Sequence, residues 1–340
     1  MYMHIGLTYD LQTDSLDERQ AEFDSPSTII ALRRALEELG HRVVMLGNAH
    51  ELLRRPGWMR QVEIVFNIAE GTHGRCREAW VPTVLELLGV PYVGSDPLAL
   101  TLGLDKVMSK RLAREAGVLT PPWISVDHPR ALPSRIPLRF PLMVKPRYEG
   151  SGRGIDQGAV VQDGEALRAR VEWLIERCPE PVLIEEFIPE GELTICLIGN
   201  DPVVAYPPIQ RPLDPSTRLS SHVATPAPRS WSAPLVLDHG LETAAREMAL
   251  AMFRALTCRD VARIDARVDG QGRVQFLEIN PLPSFDPEDG FGLLAESLGI
   301  SYPVLVGRVL DAALRRLEET MTVRPQRTTV DGGRWTVDDG

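Results

Sequence analysis

Lysine is nearly missing from this chain. Of its 37 basic residues only Lys106, Lys110 and Lys145 are lysine, and all the others are arginine. Such a chain has little reason to keep lysine on a solvated face. A compact ammonium on a flexible stem persists where it must meet a phosphate, with chance retention the alternative, above all at Lys110. Cysteine is sparse too. Cys76, Cys178, Cys196 and Cys258 stand far apart with no CxxC or Cys/His spacing, which argues against a thiolate metal site and for free thiols in a cytoplasmic protein. No basic tract offsets the net charge of −10, so nucleic acid is not an expected partner. No apolar run reaches the roughly 18 to 20 residues that span a bilayer, so no membrane partner is expected. The opening MYMHIGLTYD lacks the basic flank and apolar core of a signal peptide and reads as a strand.

What is present fills more than one core. The 340 residues suit two or three domains. The most informative stretch is residues 261–284, VARIDARVDGQGRVQFLEINPLPS. Val261, Arg263, Asp265 and Arg267 alternate with Ala262, Ile264, Ala266 and Val268, which predicts a strand with one polar and one apolar face. Asp269-Gly270-Gln271-Gly272 predicts a turn, and residues 273–279 the returning strand of a hairpin. Arg263 and Asp265 then share a face with Glu278 and Asn280 at the neighbouring strand's end. Two acids and an amide beside an arginine suit a hard cation such as Mg²⁺; the competing reading is a solvated hairpin with charges outside.

The first hundred residues alternate strand and helix: strands at 4–9, 43–46, 63–68 and 91–94, and helices after Ser25-Pro26, at 51–55 and at 78–88. This predicts an α/β unit with a parallel sheet covered on both faces and ligands at the strands' carboxyl ends. Asn67, Glu70 and His73 leave the third strand at such an end, as substrate contacts or as a satisfied turn. A helix at 105–116 carries Lys106 and Lys110. The apolar strand PLMVK delivers Lys145 into Pro146-Arg147-Tyr148-Glu149-Gly150-Ser151-Gly152-Arg153-Gly154, whose glycines permit close backbone approach to a phosphate. A helix at 163–177 and VLIEEF, an apolar strand ending in Glu185 and Glu186, follow. Further strands at 192–198 and 203–206 make the C-terminal half richer in antiparallel sheet. Residues 207–234 hold seven prolines and read as a disordered loop or an active-site cover. Helices at 240–256, 291–298 and 303–317 follow, and from Met321 the polar tail reads as disordered.

These motifs, in this order, resemble the ATP-grasp superfamily: an Asp-Lys helix, VKP with EGSGRGI, IEEF, ARID and EINP. LLGVPYVGSDPLALTLGLDKVMSKRLAREAGV narrows the resemblance to the D-alanine–D-alanine ligase-like branch, over roughly residues 60–318. The resemblance implies three domains: a Rossmann-like pre-ATP-grasp domain (1–100), a small central domain (101–186) and a C-terminal domain with the Mg²⁺ site (187–320), followed by the tail (321–340). It implies ATP between the last two. Lys106 and Lys145 would contact phosphates, Glu185 would read the adenine amine with Glu186 beside it, and Glu192 would take the ribose hydroxyls. Asp265, Glu278 and Asn280 would hold Mg²⁺, normally two ions, with Mn²⁺ an alternative. Ser151 would orient the first substrate and Arg263 stabilise the oxyanion. The implied activity is a carboxylate–amine ligase acting on amino-acid or peptide-like substrates through an acyl-phosphate. D-alanyl-D-alanine formation is the foremost expectation. The alternatives are ligation of another acceptor or a non-catalytic ATP-binding regulatory protein. The family also suggests a homodimer.

The departures concern substrate. Where the family carries a Glu-Arg-Glu-Val-Ser type segment, this chain has IGLTYDLQTDSLDERQAEFDSPST, in which Glu22 or Asp24 could supply the acid at a different spacing. The covering loop has Arg218-Leu219-Ser220-Ser221 and no tyrosine nearby. After the Asn280 position stand Pro281-Leu282-Pro283-Ser284, then Asp286, Glu288 and Asp289. An acidic rim of that kind repels a free carboxylate and favours a cationic or uncharged acceptor, unless these acids simply face solvent.

Overall fold

The computed structural model describes residues 2–210, 213–214, 216–220 and 237–323. Three four- or five-stranded sheets organise it. The first contains β1 (His4–Thr8), β2 (Arg42–Gly47), β3 (Ile64–Asn67) and β4 (Tyr92–Val93), all parallel, in the order β2-β1-β3-β4. Helix α1 (Pro26–Glu38) begins as its sequence dictates: Ser25 caps the Thr28 N–H at 3.1 Å and Pro26 fills the first turn. One face of this sheet packs on α2 (Ala49–Arg54) and α3 (Trp80–Leu88) through Leu52, Val65, Val81 and Leu85. The predicted start of α3 at residue 78 falls instead in a single 3-10 turn, Arg77–Ala79, where Arg77 turns inward.

The other face is closed from far along the chain. Ile5, Leu32 and Leu36 share a core with Leu305, Val309 and Ala313 of the last helix, which runs Tyr302–Val323. That helix continues three residues into the segment expected to be aperiodic, and residues 324–340 lie outside the described ones. Asp260 ties the same units together. It is fully buried and accepts from Arg316 at 2.7 and 2.8 Å, from Asn200 at 2.9 Å and from the Gly94 N–H at 2.8 Å.

The second sheet is antiparallel: β5 (Trp123–Val126), β6 (Leu142–Pro146), β7 (Val160–Val161) and β8 (Val182–Glu186), in the order β5-β8-β6-β7. Its apolar face buries Leu167, Val171 and Leu174 of the helix Gly164–Arg177. The third sheet has β9 (Glu192–Gly199), β10 (Val203–Ala205), β12 (Val261–Val268) and β13 (Val274–Asn280) in the order β10-β9-β12-β13, with β11 (Ile209–Gln210) paired to β9. Ala262, Ile264 and Ala266 pack against Ala245, Ala249 and Met252 of the helix His239–Ala255, as the alternation requires. The predicted hairpin forms. Arg263 pairs with Asn280 and Asp265 with Glu278, before a bulge that skips Leu277 and pairs Ala266 with Phe276.

A helix Pro97–Leu104 precedes the Lys106–Glu115 helix, and Asp105 sits between them. The sequence reading has no element at 97–104. PLALTLGL is apolar on every side, so its periodicity carries no signal. Gly103 lets this helix meet the end of β13: a Cβ there would lie 2.6 Å from the Pro281 ring. No single described helix is long and apolar enough to cross a membrane.

Candidate active site

Two cavities lie side by side. The first, about 130 Å³, is a cleft between the second and third sheets. Lys145 lies on β6 and Glu185 on β8, where the antiparallel register sets Met143 opposite Glu185 and Lys145 opposite Leu183, so the two charged side chains are diagonal neighbours on one face. The Lys145 ammonium is 2.7 Å from one Glu185 oxygen and the Lys110 ammonium 2.7 Å from the other. Burial pushes the Glu185 carboxyl up, but the two lysines outweigh it and hold the group at about 2, so it stays ionised. Lys110 is 0% exposed and also meets the Thr120 hydroxyl at 2.7 Å, which donates to the Phe276 carbonyl. Across the cleft Glu192 accepts from Arg267 at 2.6 and 3.1 Å and from the Ser220 hydroxyl. Arg267 also donates to the Ile188 and Arg218 carbonyls. Met143, Ile155, Phe187 and Leu219 supply apolar walls.

The second cavity, about 220 Å³, opens where the first sheet faces the third. Glu22, Asp24, Glu70, Glu78, Asn280 and Ser284 line it. Three residues, Ser151, Arg263 and Glu278, line both cavities and form their seam. Arg263 lies 3.0 Å from Asp265 and 3.6 Å from Asp289. Burial pulls its guanidinium down, and Asp265, Asp289 and Glu278 more than compensate, so it remains charged. Lys106 donates to the Glu149 carbonyl at 2.6 Å and stands 3.6 Å from Glu278. Ser151 has a left-handed backbone (φ 49°) that a serine rarely adopts. The loop before it is pinned: the Gly150 N–H donates to Glu22 at 2.6 Å, and a Cβ on Gly150 would sit 2.4 Å from that oxygen.

The donor set on the hairpin suits a hard cation. Asp265, Glu278 and Asn280 offer only oxygen lone pairs, because the Asn280 amide nitrogen is turned to Asp265 at 3.4 Å. Thr194 donates to the other Asp265 oxygen at 2.6 Å and fixes its rotamer.

A family model described as the D-ala D-ala ligase C-terminus matches residues 112–311. The chain belongs to the D-alanine–D-alanine ligase family. A D-alanine–D-alanine ligase of Synechococcus sp. is 30% identical over 308 residues, 89% of this chain and 92% of that one. A protein of Sinorhizobium fredii described as uncharacterized protein y4sG is 34% identical over 294 residues, 83% of this chain and 86% of that one. The fold agrees with the crystal structure of the Bacillus anthracis D-alanine–D-alanine ligase complexed with ATP, with TM-score 0.75 at 23% identity, over 94% of this chain and 99% of that one. The protein is therefore an ATP-dependent ligase of the ATP-grasp fold.

The ligase brings most of the residues singled out in its sequence to the two cavities, but not all. His73 is exposed, packs edge-on against Trp80 (4.9 Å) and bonds Thr72, so it lines neither cavity. Its loop turns outward after Gly71. Arg218 is held by the Pro189 carbonyl at 2.9 Å and lines neither cavity, whereas Leu219 and Ser220 beside it line the cleft. Asn67 is a turn residue, accepting from Thr8 at 2.8 Å and the Ala69 N–H at 3.2 Å. Glu186 borders the cleft, but its carboxylate reaches outward to exposed Arg139 at 2.8 Å. Glu22 lines the second cavity already paired with Arg77, at 2.6 Å. Two cations are named in the sequence reading but given no site role there. Lys110 is no chance survivor. Arg267 carried its signal in the alternation, which set it on the face of Arg263 and Asp265.

Proposed function

We propose that the ligase joins the carboxylate of one amino-acid substrate to the amine of a second, with Mg·ATP bound in the cleft between the second and third sheets. The seam supports this reading: Ser151, Arg263 and Glu278 border both cavities, so a γ-phosphate on one side meets a carboxylate on the other. A carboxylate oxygen attacks the γ-phosphorus and the bond to the bridging oxygen breaks, giving ADP and an acyl-phosphate. The amine then attacks the acyl carbon, phosphate leaves with the oxygen the carboxylate supplied, and the amine's proton passes to solvent. Asp265, Glu278 and Asn280 would hold Mg²⁺, which when bound neutralises phosphate charge and aligns the transferring group.

Lys106 and Lys145 place ammonium charge against the phosphates, and Arg263 stabilises the oxyanion that forms as the amine attacks. Glu185 keeps Lys145 charged and oriented, and Ser151 on its strained loop orients the first substrate. The three sheets correspond to domains at 1–100, 101–186 and 187–320, and a homodimer belongs to the same proposal. D-alanine pairs are the reference substrates, given the named activity of the relatives.

An ¹⁸O-labelled acyl substrate tests the mechanism. One labelled oxygen in the released phosphate is expected, dependent on the amine. Unlabelled phosphate, released without an amine, would overturn it in favour of a plain ATPase or a regulatory nucleotide-binding protein.

A further inference from the structure

The second cavity holds more carboxyl groups than its surroundings partner. Six carboxylates beside the hairpin face it: Glu22, Asp24, Glu70, Glu78, Asp286 and Asp289. Three of them are engaged. Glu22 takes Arg77, Asp286 accepts from Thr28 at 3.2 Å, and Asp289 lies 3.6 Å from Arg263. The other three, Asp24, Glu70 and Glu78, have no side-chain hydrogen bond or ion pair among the described residues. Glu78 is only 8% exposed. Burial, with Glu22 nearby, pushes its carboxyl up to about 8 despite Arg77 and Lys106. Burial, Asp286 and Asp10 push Asp24 up to about 8 as well. Glu70 is raised by burial and by Glu78, Glu22 and Asp24.

A buried carboxyl without a donor is costly, and a ligand that supplies donors recovers that cost. One α-ammonium brings a single positive charge against three unpartnered carboxyls. An organic cation with two ammonium groups comes closer to balancing them. The sequence pointed to acid after Asn280; the fold joins Asp286 and Asp289 to acids contributed by the first sheet, while Glu288 faces solvent.

We propose that one of the two substrates is an amino acid with a second cationic group, of the lysine or ornithine kind, whose two ammonium groups are received among Asp24, Glu70 and Glu78. This rests on the ligase reading and names its substrate class. The test is calorimetric titration of the full chain with lysine and ornithine, both enantiomers of each, against the neutral isosteres norleucine and norvaline at fixed ionic strength. At least one basic enantiomer should bind tenfold or more tighter than its isostere. Glu70→Gln and Glu78→Gln should cut that preference to threefold or less, with ADP titration reporting that each variant keeps a folded cleft. Equal binding of isosteres, or a preference that survives both substitutions, would overturn the proposal. Phosphate release with Mg·ATP and paired substrates separates the two claims. Basic preference with no release on any pair refutes the ligase reading alone, whereas release on alanine pairs without basic preference refutes the cation site alone.

Discussion

The cleft between the second and third sheets and the cavity beside it share a seam but treat charge in opposite ways. In the cleft, Glu185 stands between Lys110 and Lys145, and Glu192 holds Arg267. In the cavity, three buried or half-buried carboxyls have no described donor. A site for a constant, highly charged ligand gains from fixed charges that need no rearrangement when it arrives. A site that chooses among similar small molecules gains from groups left short of partners, because the wrong ligand then leaves them unpaired. The contrast is what the proposed division into an ATP cleft and a substrate cavity requires.

The largest expected effect lies at the seam. Arg263→Ala should lower the ligation kcat by about 100- to 1,000-fold, the usual loss for one oxyanion donor. A steady-state phosphate assay measures it, and a loss below tenfold would remove Arg263 from the chemistry. Next comes the cleft's internal pairing. Lys110→Ala leaves Glu185 with one ammonium instead of two and should destabilise the fold by about 3 kcal/mol, within the range for breaking a buried pair. Urea unfolding measures this; an unchanged midpoint would mean the cleft is not held by its charges.

The smallest effect is in pH. Asp24 and Glu78 titrate near 8 in the folded chain against ordinary values of 3.8 and 4.5. The folded state keeps protons that the unfolded state has lost, so their stabilising contribution is complete below about pH 4 and declines as pH rises to 8. Asp10 and Asp286 face the first, and Glu22, Arg77 and Lys106 the second. Glu185, held near 2, acts in the opposite sense: its contribution is present above pH 4.5 and lost below it. The unfolding temperature of the ligand-free chain should therefore fall between pH 5 and pH 8, less steeply in Glu78→Gln. A flat profile would erase the contrast between cavity and cleft.

Much of the cleft was legible in the sequence. The period-two run VARIDARV fixed both a strand and a polar face, and the Asp269-Gly270 turn set the register that pairs Asp265 with Glu278. The substrate cavity was less legible. Glu70 and His73 look alike as residues leaving a strand, yet one faces the cavity and the other a tryptophan on the surface. Nothing local distinguishes them, because the direction of a loop is set by what it packs against.

The sequence by itself determined the elements whose signal is short-range: the alternating hairpin, the Ser25-capped helix, and the lysines retained in an arginine-rich chain. Tertiary structure alone decided which charges are satisfied. Arg77 reaches Glu22 across 55 residues and Arg267 reaches Glu192 across 75. The last helix closes the face of the first sheet. Backbone periodicity is written in neighbouring residues, whereas a buried charge is paired or unpaired according to groups that only folding brings within about 3 Å.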